Sequence, residues 1–320
     1  MVYKEKYCEE DESKDCAKCL NIRYGVNSNI LNNWQKTCLD VLKRFDKIIV
    51  PSDNTKKIFN NVYKELQIET VEHGVNVIIP KRKERISKDF NIAFVGAMAI
   101  HKGSNILKDL VKKNNNSNIK IHLFGKSEDK ELEKSRENYI NHGKYTRGEL
   151  PQLIVDNDID LVCMFATWPE TYSYTLTETY MSEVPILTYD IGAVGDRVKK
   201  DELGWIINLN TSSTKILEKI KEISNNSEEY KNKKENFKKY KFKTVEEMQE
   251  YYNKLYSNIE NKNEIANIYN FMEYRAKSKE FEFNQYQASY GHVVYRYEKM
   301  RSSMIWKIAK KIKGKLTRKN

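Results

Sequence analysis

Short apolar runs alternate with segments of helical character through the middle of the chain. The apolar runs lie at 91–95, 119–124, 159–165, 185–188 and 204–207. Near-continuous apolar runs of this length are typical of parallel strands, which are buried on both faces. The helical segments lie at 105–113, 174–182, 212–223 and 228–257. This alternation predicts an α/β fold with a parallel sheet.

Two glutamates lie eight residues apart where the strand at 159–165 passes into the next helix. Glu170 is in the loop, and Glu178 is about two turns into the helix. A helix start presents unpaired N–H groups and the positive end of the helix dipole, which suits a phosphate group. Each glutamate alone is also compatible with an ordinary exposed acid, since Glu is rarely buried. The flanking residues favour a nucleotide site.

A second loop, after the strand at 91–95, has the residues that a phosphate site needs. Gly96 and Gly103 allow the backbone to approach a ligand closely, and Lys102 offers a cation to a diphosphate. The alternative for Lys102 is a solvated surface lysine. The two loops together predict that the sheet binds an extended phosphorylated ligand.

These loops resemble the Glu-x7-Glu motif of the retaining GT-B glycosyltransferases of family 4 (group 1). The resemblance implies that Glu170 is the catalytic carboxylate, facing the donor sugar, and that Glu178 binds the ribose. It assigns the diphosphate to Lys102, to Gly96 and Gly103, and to the backbone of Thr171, Tyr172 and Ser173. Many family members carry Arg directly after the first Gly, where this chain has Ala97.

The resemblance covers about residues 1–255 and implies a GT-B-like α/β architecture. Its expected parts are a partial acceptor-side domain at 1–85, a complete Rossmann-like donor domain at 86–225, crossover helices at 226–258 and a helical extension at 259–320. The segments 45–52 and 71–75 resemble the last acceptor-side strands and the start of the hinge, with His73 as a packing residue.

The implied activity is transfer of a sugar from a nucleotide-sugar donor to a glycan or lipid-linked acceptor, in the synthesis of cell-surface polysaccharide or lipopolysaccharide. By the same resemblance the anomeric configuration is retained, and neither a metal nor a cofactor takes part. The nucleotide-sugar is a substrate. The residues do not identify its sugar or its base.

The start of the chain raises a different expectation. In the relatives a long stretch of acceptor domain precedes a Cys-rich segment, whereas this chain begins almost on top of the cysteines at 8–19. The resemblance therefore implies a truncated gene product, an enzyme whose partner supplies the missing acceptor half, or a remnant. Two other functions stay open: a non-catalytic or split-enzyme nucleotide-sugar-binding subunit without its own acceptor site, and a membrane-attached scaffold.

Two other motifs are incomplete. The segment Gly125–Ser127 follows a strand, but a P-loop needs another glycine five residues before its last glycine, and Lys120 is at that position. Asp158-Ile-Asp160 has the form of a D-x-D metal motif but precedes its strand, so we expect a loop there and infer no metal.

The five cysteines allow two interpretations. Cys8, Cys16 and Cys19, with Cys38 as a fourth ligand, have spacing that is compatible with zinc. Free thiols are the alternative in a cytosolic protein. Cys163 is expected to be a buried strand residue.

The end of the chain is strongly basic. Residues 300–320 contain eight Lys or Arg and no acid, in a chain whose net charge is +11. Apolar residues recur among them at helical spacing, as in helices that bind the anionic inner face of a membrane. The alternative is a tail that packs on the protein or is disordered. Charge confined to one tail argues against nucleic acid, and the absence of long apolar runs and of a signal peptide predicts a cytoplasmic protein.

Overall fold

The computed structural model describes residues 2–3, 6–7, 16–25, 28–115 and 118–257. They fall into two compact units. The first holds residues 45–255 together with the antiparallel strands β1 (Val2–Tyr3) and β2 (Lys6–Tyr7). The second holds residues 16–44, which form the helices α1 (Cys16–Tyr24) and α2 (Ser28–Leu42), and residues 256–257.

Three of the cysteines considered as zinc ligands lie in the second unit. Cys16, Cys19 and Cys38 are free thiols, and Cys8 lies outside the described residues. Within the described ranges no group of three or more His, Cys, Asp or Glu side chains is arranged to hold a metal ion. Zinc binding and free thiols both stay open as interpretations of these cysteines.

A six-stranded parallel sheet forms the centre of the first unit. Its strands are β5 (Phe90–Val95), β6 (Ile119–Phe124), β7 (Tyr139–Gly143), β8 (Ile159–Met164), β9 (Ile186–Tyr189) and β10 (Gly204–Ile207). Their spatial order is β7-β6-β5-β8-β9-β10, and all neighbours are parallel. This is the order of a doubly wound Rossmann sheet, in which the winding direction reverses between β5 and β8. The predicted α/β fold is confirmed.

Helices cover both faces of this sheet. They are α4 (Ser104–Lys113), α5 (Leu150–Asp156), α6 (Tyr174–Met181), α7 (Gly192–Asp201) and α8 (Ser213–Asn225). Because successive strand residues point to opposite faces, Ile92 and Phe94 of β5 lie in one core cluster with residues of α4 and α8. Ala93 and Val95 lie in a second cluster with residues of α5, α6 and α7. Residues 92–95 of β5 are therefore apolar on both faces of the strand.

A smaller parallel sheet precedes the large one. It pairs β3 (Ile48–Val50) with β4 (Ile68–Thr70), and α3 (Asp53–Val62) connects them. Ser52 caps α3, since its hydroxyl accepts a hydrogen bond from the Thr55 N–H at 3.2 Å. A strand was expected at 71–75, but β4 ends at Thr70. That segment runs instead beside residues 243–244, through a bridge from Val75 to Thr244.

The helical segment predicted at 228–257 is interrupted. It forms α9 (Ser227–Asn236), a short 3₁₀ turn (Phe237–Lys239) and α10 (Val245–Ser257). The interruption buries aromatic residues: the Phe237 and Tyr240 rings contact Tyr180 of α6 edge-on, with centroids 5.7 Å and 5.0 Å away. Packing on the sheet layer therefore overrides the helical propensity of this Lys- and Glu-rich stretch.

The D-x-D segment is also placed differently from the expectation. Asp158 lies in a turn, but Asp160 is a buried residue of β8 and not part of a loop. Both Asp160 oxygens accept hydrogen bonds from Arg85, at 2.5 Å and 2.9 Å, and Asp158 accepts the N–H groups of Ile86 and Ser87. These carboxylates fasten the 85–87 segment at the amino ends of the strands.

In the described part of the chain, no helix combines the length and the apolar character needed to cross a bilayer. The helical extension predicted at 259–320, with the basic tail at 300–320, lies outside the described residues. Its attachment to anionic membranes stays a prediction.

A histidine pair on β6 and β7, of which His122 is buried, makes stability depend on pH. His122 Nδ1 and His142 Nε2 are 3.0 Å apart. Burial, together with the neighbouring His142 and Lys120, lowers the pKa of His122 to about 4. The unfolded histidine binds its proton near its ordinary pKa of about 6.5, so stability is lost as pH falls from that value towards 4. We expect a loss of about 2 kcal/mol between about pH 7 and pH 5.

Urea unfolding at several pH values measures this loss. His122→Gln removes the titrating group and should flatten the dependence over that interval. An unchanged slope in the variant would show that His122 is not its source.

Candidate functional site

The loops after β5 and β8 meet at the carboxyl ends of the strands, where the sheet reverses its winding. In open α/β sheets this point is a crevice suited to ligands. The Thr167 N–H donates to the carbonyl of His101 at 2.8 Å, and the His101 and Trp168 rings lie 4.0 Å apart. Gly103, with φ +89°, approaches so closely that a Cβ there would lie 2.7 Å from the Phe165 carbonyl oxygen. The loops therefore form one surface.

Lys102 and Glu170 form an ion pair across these two loops. Lys102 ends a 3₁₀ turn (Ile100–Lys102), and its Nζ contacts Glu170 Oε1. The side chains are 35% and 16% exposed, so both can reach a ligand in the crevice. The crevice therefore offers a ligand one positively and one negatively charged side chain at the same place. Gly96, also predicted at the site, begins the loop, and its N–H donates to the Phe124 carbonyl at 2.8 Å.

The start of α7 supports the Glu170 loop from behind. The Ala193 N–H donates to the Glu170 carbonyl at 2.9 Å. Gly192 has φ +63°, and a Cβ there would lie 2.6 Å from the Glu170 nitrogen. A side chain at this position would push the Glu170 backbone out of place.

The turn between Glu170 and α6 presents unpaired backbone N–H groups. Among the described residues, the N–H groups of Thr171, Tyr172 and Ser173 have no hydrogen-bond acceptor. Ser173 caps the helix, because its Oγ accepts the Leu176 N–H at 3.3 Å. The carbonyl of Thr171 accepts a hydrogen bond from Thr55 Oγ1 at 3.3 Å. The three free donors and the helix start together form an anion-binding geometry.

Glu178 lies on α6, facing the loop before α5. Its residue surface is 8% exposed, and Oε1 accepts the Gly148 N–H at 3.1 Å. Burial raises the pKa of Glu178, while the hydrogen bond from Gly148 and the nearby Arg147 oppose that shift. Glu170 thus contacts the loop after β5, whereas Glu178 contacts the loop before α5.

His73 contacts the same turn through aromatic rings. It stacks on Tyr174 at 5.3 Å and meets Tyr172 edge-on at 4.9 Å. The Tyr172 hydroxyl donates to the His73 carbonyl at 3.0 Å, and burial lowers the pKa of His73. The segment after β4 is therefore packed against the predicted donor site.

Sequence analysis missed one buried side chain beneath the turn. Arg197 of α7 is 6% exposed and donates to the carbonyls of Tyr172 and Ser173. The available signal was an arginine within the apolar segment 191–198, flanked by residues that face the core. Gly148 was missed as well, because a backbone donor leaves no mark in the sequence.

Residues 77–243, more than half of the chain, match the family model described as "Glycosyl transferases group 1". The chain belongs to this family. The match contains all residues of the two loops and of α6. No curated protein sequence matches the chain.

Solved structures of group 1-like fold resemble the chain at low sequence identity. TarM, known from S. aureus, is 19% identical with a TM-score of 0.53, over 69% of this chain and 45% of TarM. HepE of Anabaena, in complex with UDP-glucose, is 16% identical with a TM-score of 0.58, over 70% of this chain and 67% of HepE. Sucrose-phosphate synthase from Thermosynechococcus elongatus is 14% identical with a TM-score of 0.56, over 74% and 66%.

These similarities establish the fold. The predicted GT-B-like α/β class is confirmed, as is the resemblance to group 1 glycosyltransferases. The chain spans less than half the length of TarM and about two thirds of HepE.

Proposed function

We propose that this protein transfers a sugar from a nucleotide-sugar to a glycan or lipid-linked acceptor, with retention of anomeric configuration and without a metal ion. The observation that carries the proposal is the ion pair of Lys102 and Glu170, placed beside three unpaired N–H groups at the reversal point of the sheet. Cation and N–H groups suit a diphosphate, and a carboxylate suits sugar hydroxyls.

The donor would lie along the crevice between the two loops. Lys102 and the N–H groups at 171–173 would bind the diphosphate, with close backbone approach at Gly96 and Gly103. Glu170 would then hold the sugar and Glu178 the ribose hydroxyls. Because the two carboxylates face different loops, they would contact different parts of one extended ligand.

The chemistry assigned to this site is charge stabilisation. The bond between the sugar C1 and the diphosphate oxygen breaks, and the acceptor oxygen bonds to C1 from the same face. The acceptor proton passes to the leaving phosphate oxygen. Lys102 and the helix start stabilise the negative charge that grows on the diphosphate. This cationic environment supplies the role that a metal ion has in other transferases.

The domain assignment follows from the same proposal. Residues 86–225, which contain the six-stranded sheet, would be the donor-binding domain, and 226–258 the crossover helices. Residues 1–85 would belong to the acceptor side. A glycan or lipid-linked acceptor is proposed because TarM, a protein of similar fold, was solved with Fondaparinux and α-GlcNAc-glycerol together with UDP.

Proton NMR of the product tests the function. UDP-glucose and UDP-N-acetylglucosamine are suitable donors, since HepE and TarM were solved with UDP. With a panel of oligosaccharide acceptors, we expect a product whose anomeric proton shows the donor's α configuration. A β product would contradict retention.

A second function is favoured by one observation. Among the described residues at 1–85, parallel strands pair only in the two-stranded sheet of β3 and β4. A nucleotide-sugar-binding subunit would have this composition. It would bind the donor in the same crevice but give no product in the NMR assay until a protein with an acceptor site is added.

A further inference from the structure

Arg197 is a buried cation. The Asp201 carboxylate of the same helix interacts with its charge without forming an ion pair. It lies on α7 beneath the turn that joins Glu170 to α6, and it makes no ion pair within the described ranges. Removing an unpaired charge from water is costly unless strong hydrogen bonds replace the lost hydration. The contacts of this guanidinium group therefore show what it stabilises.

Most of these contacts converge on one turn, and one further hydrogen bond runs from Nη2 to the Tyr240 hydroxyl at 3.5 Å. Arg197 Nη1 donates to the carbonyls of Tyr172 and Ser173, at 3.1 Å and 3.3 Å. Nη2 donates to Thr177 Oγ1 in the first turn of α6 at 2.9 Å. The guanidinium carbon also lies 4.5 Å from the centre of the Tyr172 ring. The planar guanidinium group thus holds two carbonyls of the turn and a hydroxyl of α6 at the same time, which a single ammonium group cannot do.

The turn needs this support because its backbone is strained. Ser173 has φ 73° and ψ 91°, a conformation that residues with a Cβ rarely adopt. Its carbonyl is one of the two that Arg197 holds. The Tyr172 carbonyl shares its peptide unit with the Ser173 N–H, and the Ser173 carbonyl shares its unit with the Tyr174 N–H, so both N–H groups point away from Arg197. Neither N–H group has an acceptor among the described residues.

We propose that Arg197 is a positioning residue that holds Ser173 in its strained conformation and so directs the N–H groups of Ser173 and Tyr174 towards the donor diphosphate. The inference rests on the proposed function of this crevice. Arg197 itself is covered by the turn and does not touch the ligand. Its effect on binding is transmitted through the Tyr172 and Ser173 carbonyls.

Three variants separate positioning from a simple effect of charge. Arg197→Met removes the guanidinium group, and Arg197→Lys keeps the charge but cannot hold two carbonyls and a hydroxyl together. Arg197→Met combined with Ser173→Gly removes the guanidinium group and also the strain, because glycine adopts positive φ readily. Glycine at a helix N-cap is nearly as favourable as serine, so α6 keeps its start.

Calorimetric titration with UDP and with uridine gives the first readout. We expect UDP affinity to fall about tenfold in Arg197→Met and in Arg197→Lys, the loss expected for charged hydrogen bonds. Uridine affinity should change little, since uridine has no phosphate. The Ser173→Gly double variant should recover most of the UDP affinity. Full UDP affinity in Arg197→Lys, or no recovery in the double variant, would overturn the positioning role.

Hydrogen exchange at the Thr177 N–H gives a readout without any ligand. This N–H donates to the Ser173 carbonyl at 3.4 Å, an acceptor that glycine retains, so exchange should be faster in Arg197→Met and should slow again in the double variant. Unchanged exchange would overturn the inference even if UDP binds elsewhere. If the unmutated chain binds neither UDP, GDP nor dTDP while exchange changes as expected, the proposed function fails and the positioning role stands.

Arg85→Met is the matched control. Like Arg197, Arg85 donates to two backbone carbonyls, but at the amino ends of the strands. Unlike Arg197, it also donates to a buried carboxylate, that of Asp160. This variant should lower stability without changing the ratio of UDP to uridine affinity. The same change of ratio in both variants would show a general loss of structure and would contradict a specific role for Arg197.

Discussion

Replacing Lys102 with Met is expected to lower the rate of sugar transfer by about 1000-fold, or about 4 kcal/mol of transition-state stabilisation. Lys102 is the cation of the β5 loop that reaches Glu170 in the crevice. In the proposed mechanism it faces the diphosphate, on which negative charge increases as the bond to C1 breaks. UDP affinity should fall with the rate, whereas uridine affinity should stay the same.

Lys108→Met is a suitable control for this experiment. Lys108 lies one turn further along, in α4, and pairs with Asp129 and Glu131 away from the crevice. Its replacement should leave transfer and UDP binding unchanged. Parallel losses of UDP and uridine affinity in Lys102→Met would contradict a contact between Lys102 and the diphosphate.

Replacing Glu178 with Gln is expected to weaken nucleotide binding by about 50-fold, the loss of two charged hydrogen bonds to the ribose hydroxyls. Unlike Lys102, Glu178 should affect uridine and UDP equally, because both contain the ribose. Since burial raises the pKa of Glu178, its carboxylate is protonated at a higher pH than an ordinary Glu. Affinity should therefore decline on acidification, and less so in the variant.

Glu183→Gln provides the matched control for Glu178. Glu183 follows the end of α6, is exposed, and pairs with Arg82 at 2.6 Å. Its replacement should not alter nucleotide affinity. A Glu178→Gln chain that binds uridine as tightly as the unmutated chain would remove Glu178 from the ribose site.

The sheet could be predicted from the sequence because its strands are apolar on both faces. The strands at 119–124 and 204–207 have the predicted bounds, and β8 ends one residue before the predicted 165. The start of α6 at Tyr174 could also be predicted, since Ser173 is a residue type that is typical of a helix N-cap. The bounds of an element could be predicted where the residues that determine them, apolar strand residues or a helix cap, are neighbours in the sequence.

Contacts between distant segments could not be predicted in this way. Asp160 was expected in a loop because the D-x-D segment was placed before the strand, and the contact with Arg85 explains its place in β8. The break after Asn236 depends on aromatic packing against Tyr180, which is far away in sequence. The direct pairing of Lys102 with Glu170 was also beyond sequence analysis, although each residue was singled out alone.

A crystal structure of the chain with UDP would test the central claim most directly. We predict that the diphosphate lies between the β5 and β8 loops, with its oxygens within hydrogen-bond distance of Lys102 Nζ and of the N–H groups at 171–173, and with the ribose at Glu178. The Lys102–Glu170 ion pair should be broken or shared with the ligand. A diphosphate bound away from both loops would contradict the assignment of this crevice as the donor site.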